Sequence, residues 1–355
     1  MKTIVIMAGG TGGHIMPGLA VADELARHGW KIVWIGNPDG MEARLVPEHG
    51  HEMAWVRFAA LRGKGLLRKL LLPFNLLRGF VQAWRHFDRI RPDVVLGMGG
   101  FISFPGGMMA ALKGIPLVLH EQNSIAGLAN RVLAGMADRV LTGFPDVFRK
   151  GDWVGNPVRK EIAALPAPAQ RYAEHEKESR GKLRLLVIGG SLGAHALNET
   201  VPRALALLQE NERPEVVHQA GKTHLAALRA TYAAEQVKAQ TVDFIDDMAG
   251  AYAWADLVIC RAGALTIAEL SAAGVASILV PFPHAVDDHQ TANARFLAHA
   301  GAAMLLPQEE LTVERLSLIR NLTRPQLQEM AEKARELAMP DATVSVANTC
   351  REIAK

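Results

Sequence analysis

Two short segments of this 355-residue chain have the residue types that chemistry on phosphate groups requires, MAGGTGGH at 7–14 and IGGSLGA at 188–194. Each follows an apolar, β-branched run and leads into a helical pattern. Glycines placed there expose backbone N–H groups at the positive end of a helix dipole, which favours a phosphate or a developing negative charge. Thr11 and Ser191 stand at matching places in the two turns. Neither turn is a Walker A loop, because no Gly-Lys-Ser/Thr follows. The first is no dinucleotide fingerprint either: Gly10 and Gly12 would require glycine or alanine where Ile15 stands, and the second strand runs into Asn37 where an acid is needed. His14 directly follows the first turn. An imidazole, which ordinarily titrates near ~6.5, suits removal of a proton from a hydroxyl, and the alternative role for His14 is to hydrogen-bond the helix start.

A third glycine turn lies in CRAGALTIAELSAAG at 260–274. Thr266 and Glu269 have the spacing of a capping box, while a carboxylate at the carboxyl edge of a sheet could equally accept hydrogen bonds from a ribose diol. The pairs Asp246-Asp247 and Asp287-Asp288 offer oxygens to a hard cation, but each precedes a helical pattern and reads better as a helix N-cap, so no metal site is expected.

Charge is lopsided only between residues 57 and 91, where Arg57, Arg68, Lys69, Arg78, Arg85 and other bases face the single acid Asp88. Phe74, Leu77 and Trp84 interleave with them. Bases among large apolar side chains suit a segment lying on an anionic lipid surface, each base adding ~1 kcal/mol there. The plainer alternative is an amphipathic helix with a solvated basic face. No nucleic-acid recognition module surrounds the patch.

These residues need a framework that brings glycine turns to one edge. Short apolar runs at 3–7, 31–35, 93–96 and 116–120, and again at 183–188, 215–218, 256–260 and 277–280, alternate with helical patterns. That rhythm predicts parallel strands buried on both faces, twice over. A helix is expected after the first turn, with Pro17 in its first turn and Gly29 at its end. The polar, proline-bearing stretch at 161–182 separates the two halves, and 355 residues exceed what one core usually holds. The expected fold is α/β, two Rossmann-like domains facing across a cleft. A net charge of +3 calls for no polyanionic partner. Cys260 and Cys350 form neither a disulfide framework nor a metal-ligand spacing. The apolar run of MKTIVIMAGG is too short for a secretory segment, and no stretch is long enough to span a bilayer.

Taken together the motifs resemble the family 28 glycosyltransferases of GT-B fold that make lipid II. The likeness rests on MAGGTGGHIMPGLAVA, LRGKG, PDVVLGMGGF, HEQNSIAG, VGNPVR, IGGSLGA, FIDDMAGAYAWADLVICRAGALTIAEL and PFPHAVDDHQTANA, in that order along the chain. The resemblance implies an inverting, metal-independent transfer of N-acetylglucosamine from UDP-N-acetylglucosamine to lipid I, at the cytoplasmic face of a bacterial inner membrane. It implies an N-terminal domain at 1–162, joined by a returning helix at 341–355, and a donor-binding domain at 163–340. Ser191 and Arg159 would hold the diphosphate, the main chain at Ile245 the uracil, and Glu269 the ribose. Ala264, Leu265, Thr266, Ile267 and Ala268 would support the nucleotide, and Gln290 would contact the sugar. Thr11, Gly12, Gly13 and Asn123 would close over the donor, with His14 as the catalytic base beside the acceptor. Arg68, Lys69, Phe74, Leu77 and Trp84 would meet the membrane surface. Rival readings are a sugar-nucleotide epimerase, a two-lobed binding protein and a dehydrogenase.

Overall fold

The computed structural model describes residues 1–58, 72–178, 181–190 and 193–355. Three of the expected site residues, Arg68, Lys69 and Ser191, lie outside the described residues. The chain divides into two compact units, one of Met1–Val158 with Pro340–Lys355 and one of Arg159–Met339.

Unit one runs β1 (Thr3–Ala8), α1 (Gly12–Arg27), β2 (Lys31–Gly36), α2 (Glu42–Glu48), β3 (Glu52–Trp55), α3 (Leu72–Ile90), β4 (Val94–Gly99), α4 (Ser103–Leu112), β5 (Leu117–Glu121), α5 (Leu128–Leu133), β6 (Arg139–Thr142) and β7 (Asp152–Trp153). Unit two continues with α6 (Lys160–Ala163), α7 (Pro168–Glu178), β8 (Arg184–Ile188), α8 (His195–Ala206), β9 (Glu215–Gln219), α9 (Leu225–Ala234), β10 (Gln240–Val242), α10 (Met248–Trp254), β11 (Leu257–Cys260), α11 (Ala264–Ala273), β12 (Ala276–Leu279), α12 (His289–His299), β13 (Met304–Leu305), α13 (Val313–Ser317) and α14 (Arg324–Glu336). The last helix, α15 (Ala342–Ile353), belongs to unit one.

Each unit holds a parallel sheet, of order β3-β2-β1-β4-β5-β6-β7 in the first and β10-β9-β8-β11-β12-β13 in the second. In both, the chain starts on a central strand, builds to one edge and then crosses to the other side. The strand order therefore reverses between β1 and β4 and between β8 and β11, the places where such sheets receive ligands.

The central strands read as unbroken apolar runs because helices cover both faces. On β1, Ile4, Ile6 and Ala8 enter one core with Leu19 and Ala22 of α1 and Val346 and Cys350 of α15. The alternate residues Val5 and Met7 enter another with Ala83 and Phe87 of α3. Successive side chains on a strand point to opposite faces, so one six-residue strand is buried in two cores at once. The strands that periodicity did not mark, β3, β6, β7, β10 and β13, are two to four residues long and carry polar or exposed positions.

Helix α1 starts earlier than expected. It begins at Gly12, so Pro17 lies inside it and not in its first turn. The proline ring has no N–H to give to the carbonyl four residues back. Helix α11 corrects a second expectation. Its N-cap is Gly263, without a side-chain cap bond, so Thr266 is already inside the helix and the Thr266–Glu269 spacing forms no capping box.

Helix α7 clamps the end of α11 in unit two. Arg171 donates to the carbonyls of Ala273 and Gly274, and Arg335 of α14 donates to that of Ala272, so two cations sit at the negative end of that helix. Behind them Asp256 is fully buried. It accepts from Arg184 N at 2.9 Å and Arg324 Nη2 at 3.1 Å, and lies 2.7 Å from His175 Nδ1. Burial pushes the Asp256 carboxyl up, but the bonds from His175, Arg324 and Arg184 outweigh it and the net direction is down.

Replacing Asp256 by Ala strands two buried bases and should cost about 3–5 kcal/mol, read as a lower urea midpoint. A carboxyl depressed in the folded state stabilises above its unfolded pKa, near ~3.9, and that contribution is lost as pH falls through the lower folded value. The gap between wild type and variant should therefore hold from neutrality to about pH 4 and narrow only below it.

Candidate active site

At the carboxyl edge of the unit-one sheet, the turns after β1 and β4 meet backbone to backbone. A Cβ on Gly100 would lie 2.3 Å from the Gly9 carbonyl oxygen, and both Gly99 and Gly100 have left-handed φ, 95° and 80°. Only glycine combines those dihedrals with that approach. Ser103 Oγ bonds the carbonyls of Met7 and Gly99 at 2.9 and 2.6 Å, tying the two turns from the α4 side. From the other side the buried Glu42 carboxylate accepts Gly10 N at 3.3 Å and Asn37 N at 2.9 Å. Thr11 is the N-cap of α1 but makes no side-chain cap bond, and the first turn of α1 carries no acid. Thr11, Gly12 and Gly13 therefore present a helix start with no acid in its own first turn, the Glu42 carboxylate being bonded to the preceding Gly10 N–H.

His14 stands over Gly99, where a Cβ would come within 3.0 Å of its Nδ1. That nitrogen lies 2.7 Å from Gln122 Oε1, just past the end of β5. Gln122 Nε2 is 2.9 Å from His120 Nδ1, and His120 Nε2 is 2.9 Å from the Gly155 carbonyl. His120 is fully buried, and burial draws its pKa down to about 4. Next to it Glu121 accepts Asn123 N at 3.0 Å, Gly127 N at 3.1 Å and Asn130 Nδ2 at 2.9 Å, which shapes the loop that carries Asn123.

In unit two, Glu269 on α11 receives both Nε and Nη2 of Arg159 on Oε1, at 3.1 and 2.7 Å, and the Tyr252 hydroxyl on Oε2 at 3.2 Å. Burial raises the Glu269 carboxyl above its ordinary range, and the Arg159 charge and the two sets of hydrogen bonds pull it back only in part. Tyr252 is pushed well above its ordinary value by burial and remains a donor. A carboxylate has about four acceptor positions and three are taken here, so Glu269 keeps one for a ligand hydroxyl. Ala264, Leu265, Thr266, Ile267 and Ala268 form the uncapped start of α11. Ile245 lies half-buried in the loop before α10. Gln290, on α12, accepts Phe282 N on Oε1 at 2.9 Å, which directs its NH₂ group elsewhere as a donor.

One acid of each pair has a local partner. Asp247 caps α10 through Gly250 N at 2.8 Å. Asp288 sits at the N-cap of α12 without capping it, because its left-handed backbone turns the carboxylate to the Thr291 hydroxyl at 2.6 Å.

On α3, Phe74, Leu77, Val81 and Trp84 are 71, 61, 40 and 42% exposed. Steps of three and four place them on one helix face, opposite the buried Ala83 and Phe87. Arg78, Arg85 and Arg89 are exposed as well, and Lys113 Nζ lies 3.7 Å from the centre of the Trp84 ring. Among the described residues no helix is long and apolar enough to cross a membrane.

Gln122, His120 and Tyr252 were not anticipated as site residues. The signal for the first two was available: HEQN sets polar residues at the end of a strand otherwise buried on both faces. Tyr252 gave none, since an aromatic residue in a short apolar helix reads as core.

The glycosyltransferase family 28 N-terminal domain model matches residues 4–142, and the family 28 C-terminal domain model matches residues 184–346. A curated UDP-N-acetylglucosamine–N-acetylmuramyl-(pentapeptide) pyrophosphoryl-undecaprenol N-acetylglucosamine transferase of Dechloromonas aromatica is 70% identical over 354 residues, covering 100% of this chain and 99% of its own. The protein of the same name from Azoarcus is 66% identical over 356 residues, covering 100% and 99%. The crystal structure of Acinetobacter baumannii MurG superposes with a TM-score of 0.87 at 40% identity, covering 99% of this chain and 100% of that one.

Removing the guanidinium of Arg159 should lift the Glu269 carboxyl pKa further, since its charge is the largest influence opposing burial. Carboxyl ¹³C titration of Arg159→Ala reads this directly, and an unmoved Glu269 would mean that the pair does not form in solution.

Proposed function

Because the chain belongs to glycosyltransferase family 28, we infer that it moves N-acetylglucosamine from UDP-N-acetylglucosamine to the N-acetylmuramyl-pentapeptide of lipid I, making lipid II for peptidoglycan. The end-to-end likeness to curated transferases of that name carries this reading. In chemical terms the acceptor 4-hydroxyl attacks the anomeric carbon from the face opposite UDP. One displacement inverts an α-linked donor into a β-1,4 product.

Unit two is the donor side in this proposal. Glu269 accepts the ribose hydroxyls, the main chain at Ile245 reads the uracil, and residues 264–268 support the nucleotide. Arg159, with Ser191 and the neighbouring backbone N–H groups, takes the charge that builds on the departing diphosphate. A positioned cation and preorganised N–H donors stabilise that charge without a divalent ion. Gln290 donates its NH₂ to a sugar hydroxyl, an orientation supported by the Phe282 N–H that occupies its carbonyl.

Unit one is the acceptor side. His14 removes the proton of the attacking hydroxyl. The exposed face of α3, with Phe74, Leu77 and Trp84 among arginines, rests on the anionic cytoplasmic surface of the bacterial inner membrane, where a lipid-linked acceptor is reached. Apolar burial and about 1 kcal/mol per base near such a surface supply the attraction.

The decisive assay follows radiolabelled N-acetylglucosamine from UDP-N-acetylglucosamine into a lipid I analogue with excess EDTA present. Label in the lipid is expected, and transfer that stops with EDTA and returns with a divalent ion would remove metal independence. His14→Ala should slow transfer by about 10²- to 10⁴-fold, the usual worth of a positioned base. Replacing Phe74, Leu77 and Trp84 together by Ser should release the protein from anionic vesicles in a flotation assay while UDP binding persists. Undiminished flotation would refute the membrane-surface assignment.

A further inference from the structure

The polar side chains at the end of β5 form a chain whose hydrogens can be placed one after another. A carbonyl can only accept, so His120 Nε2 must carry the hydrogen in its 2.9 Å contact with Gly155 O. The buried ring is neutral at working pH, its pKa drawn down to about 4, so His120 Nδ1 is a bare acceptor. Gln122 Nε2 lies 2.9 Å from that nitrogen and 3.1 Å from the His120 carbonyl, so the amide NH₂ is committed to those two acceptors. The flipped amide would press an oxygen against both. Gln122 Oε1 is thereby aimed at His14 Nδ1, 2.7 Å away, and an amide oxygen accepts only.

We propose that Gln122, oriented by His120 and the Gly155 carbonyl, is a positioning residue that fixes the tautomer of His14, holding the hydrogen on Nδ1 and leaving the lone pair on Nε2. The proposal rests on the reading of His14 as the base, and it says which nitrogen takes the proton. When Nε2 receives the acceptor's proton, the Nδ1–H···Oε1 bond is kept and becomes charge-assisted. The partner is an uncharged amide where many catalytic histidines face a carboxylate, so tautomer and ring orientation are set without a buried anion beside the base.

The surroundings fit this assignment. From β4 the ring meets the backbone of Gly99, which brings no charge. The nearest acid on β5, Glu121, is engaged by Asn123, Gly127 and Asn130. Asn156 Nδ2 donates to the Gln122 carbonyl at 3.0 Å, so the VGNPVR segment holds both ends of the chain, Gly155 on His120 and Asn156 on Gln122. This gives Gly155 and Asn156 a part in the reaction that involves no contact with either substrate.

Ring-nitrogen ¹⁵N spectra of the full-length protein, with His14 assigned by difference from His14→Ala, read the tautomer directly. Wild-type His14 should show a protonated Nδ1 and an unprotonated Nε2, and the reverse pattern overturns the proposal without any variant. Gln122→Met removes the acceptor at similar size. It should shift His14 away from the Nδ1–H form and lower kcat by ~10- to 100-fold, with the KM for UDP-N-acetylglucosamine little changed. Gln122→Glu keeps an acceptor toward Nδ1 when its other oxygen carries a proton facing His120 Nδ1, and should then restore the Nδ1–H signature with much of the rate. A Met variant with a wild-type His14 spectrum and kcat within about twofold would overturn the proposal. Should Gln122→Met not fold, the wild-type and Gln122→Glu spectra decide it. Wild-type turnover by His14→Ala would instead strike the base reading, and the tautomer would still be judged by the wild-type spectrum.

Discussion

Unit one depends on a place where two backbones touch with no room for a side chain. Gly100 packs on the carbonyl of Gly9, with a would-be Cβ at 2.3 Å, and this contact joins the turns leaving β1 and β4. Those strands are neighbours at the point where the sheet order reverses, so their turns emerge on the same edge. The contact decides where α1 can begin, and the start of α1 decides where the His14 ring stands. Ser103 and Glu42 hold the arrangement from either side through bonds to backbone atoms. Any residue larger than glycine at 100 would move the turns apart and take His14 from its place over Gly99.

The two units share a topology but furnish their carboxyl edges with different chemistry. Around His14 the polar groups form a chain of an imidazole, an amide and a second imidazole, and the β5 carboxylate Glu121 is already occupied by four donors. In unit two the residues are a guanidinium, a buried carboxylate and a phenol. Under the proposed roles, a base in unit one and a diphosphate site in unit two, this division has a physical reason. A proton acceptor is useful only while its own charge stays free to change, so its neighbours set orientation and not net charge. A departing diphosphate brings charge that a fixed cation and fixed N–H groups stabilise without reorganising.

The same economy of position explains α3. One face, through Ala83 and Phe87, belongs to the core of unit one, while Phe74, Leu77, Val81 and Trp84 are left to the outside. Lys113 over the Trp84 ring, bonded also to Asp88, keeps a base close to that apolar face. A helix apolar on two sides has a core requirement on only one of them, and the second is left exposed.

Much of this was legible from local pattern. The alternating strands and helices, the glycine turns, His14 beside the first and Glu269 in the third all follow from spacing within a dozen residues, because burial on both faces and helix-start geometry act at that range. Periodicity did not mark β3, β6 or β13, whose few residues carry too little pattern, and it put Pro17 and Thr266 one turn out, because helix starts are set by the packing of the preceding turns. The hydrogen-bond partners that give the site its chemistry could not be read this way. His14 meets Gln122 across 108 positions and Arg159 meets Glu269 across 110. Local pattern sets which groups are present and which edge of each sheet they occupy. Folding in three dimensions settles which nitrogen of His14 faces an acceptor and which donors reach each oxygen of Glu269, because a hydrogen bond is made by distance and angle between atoms that lie far apart along the chain.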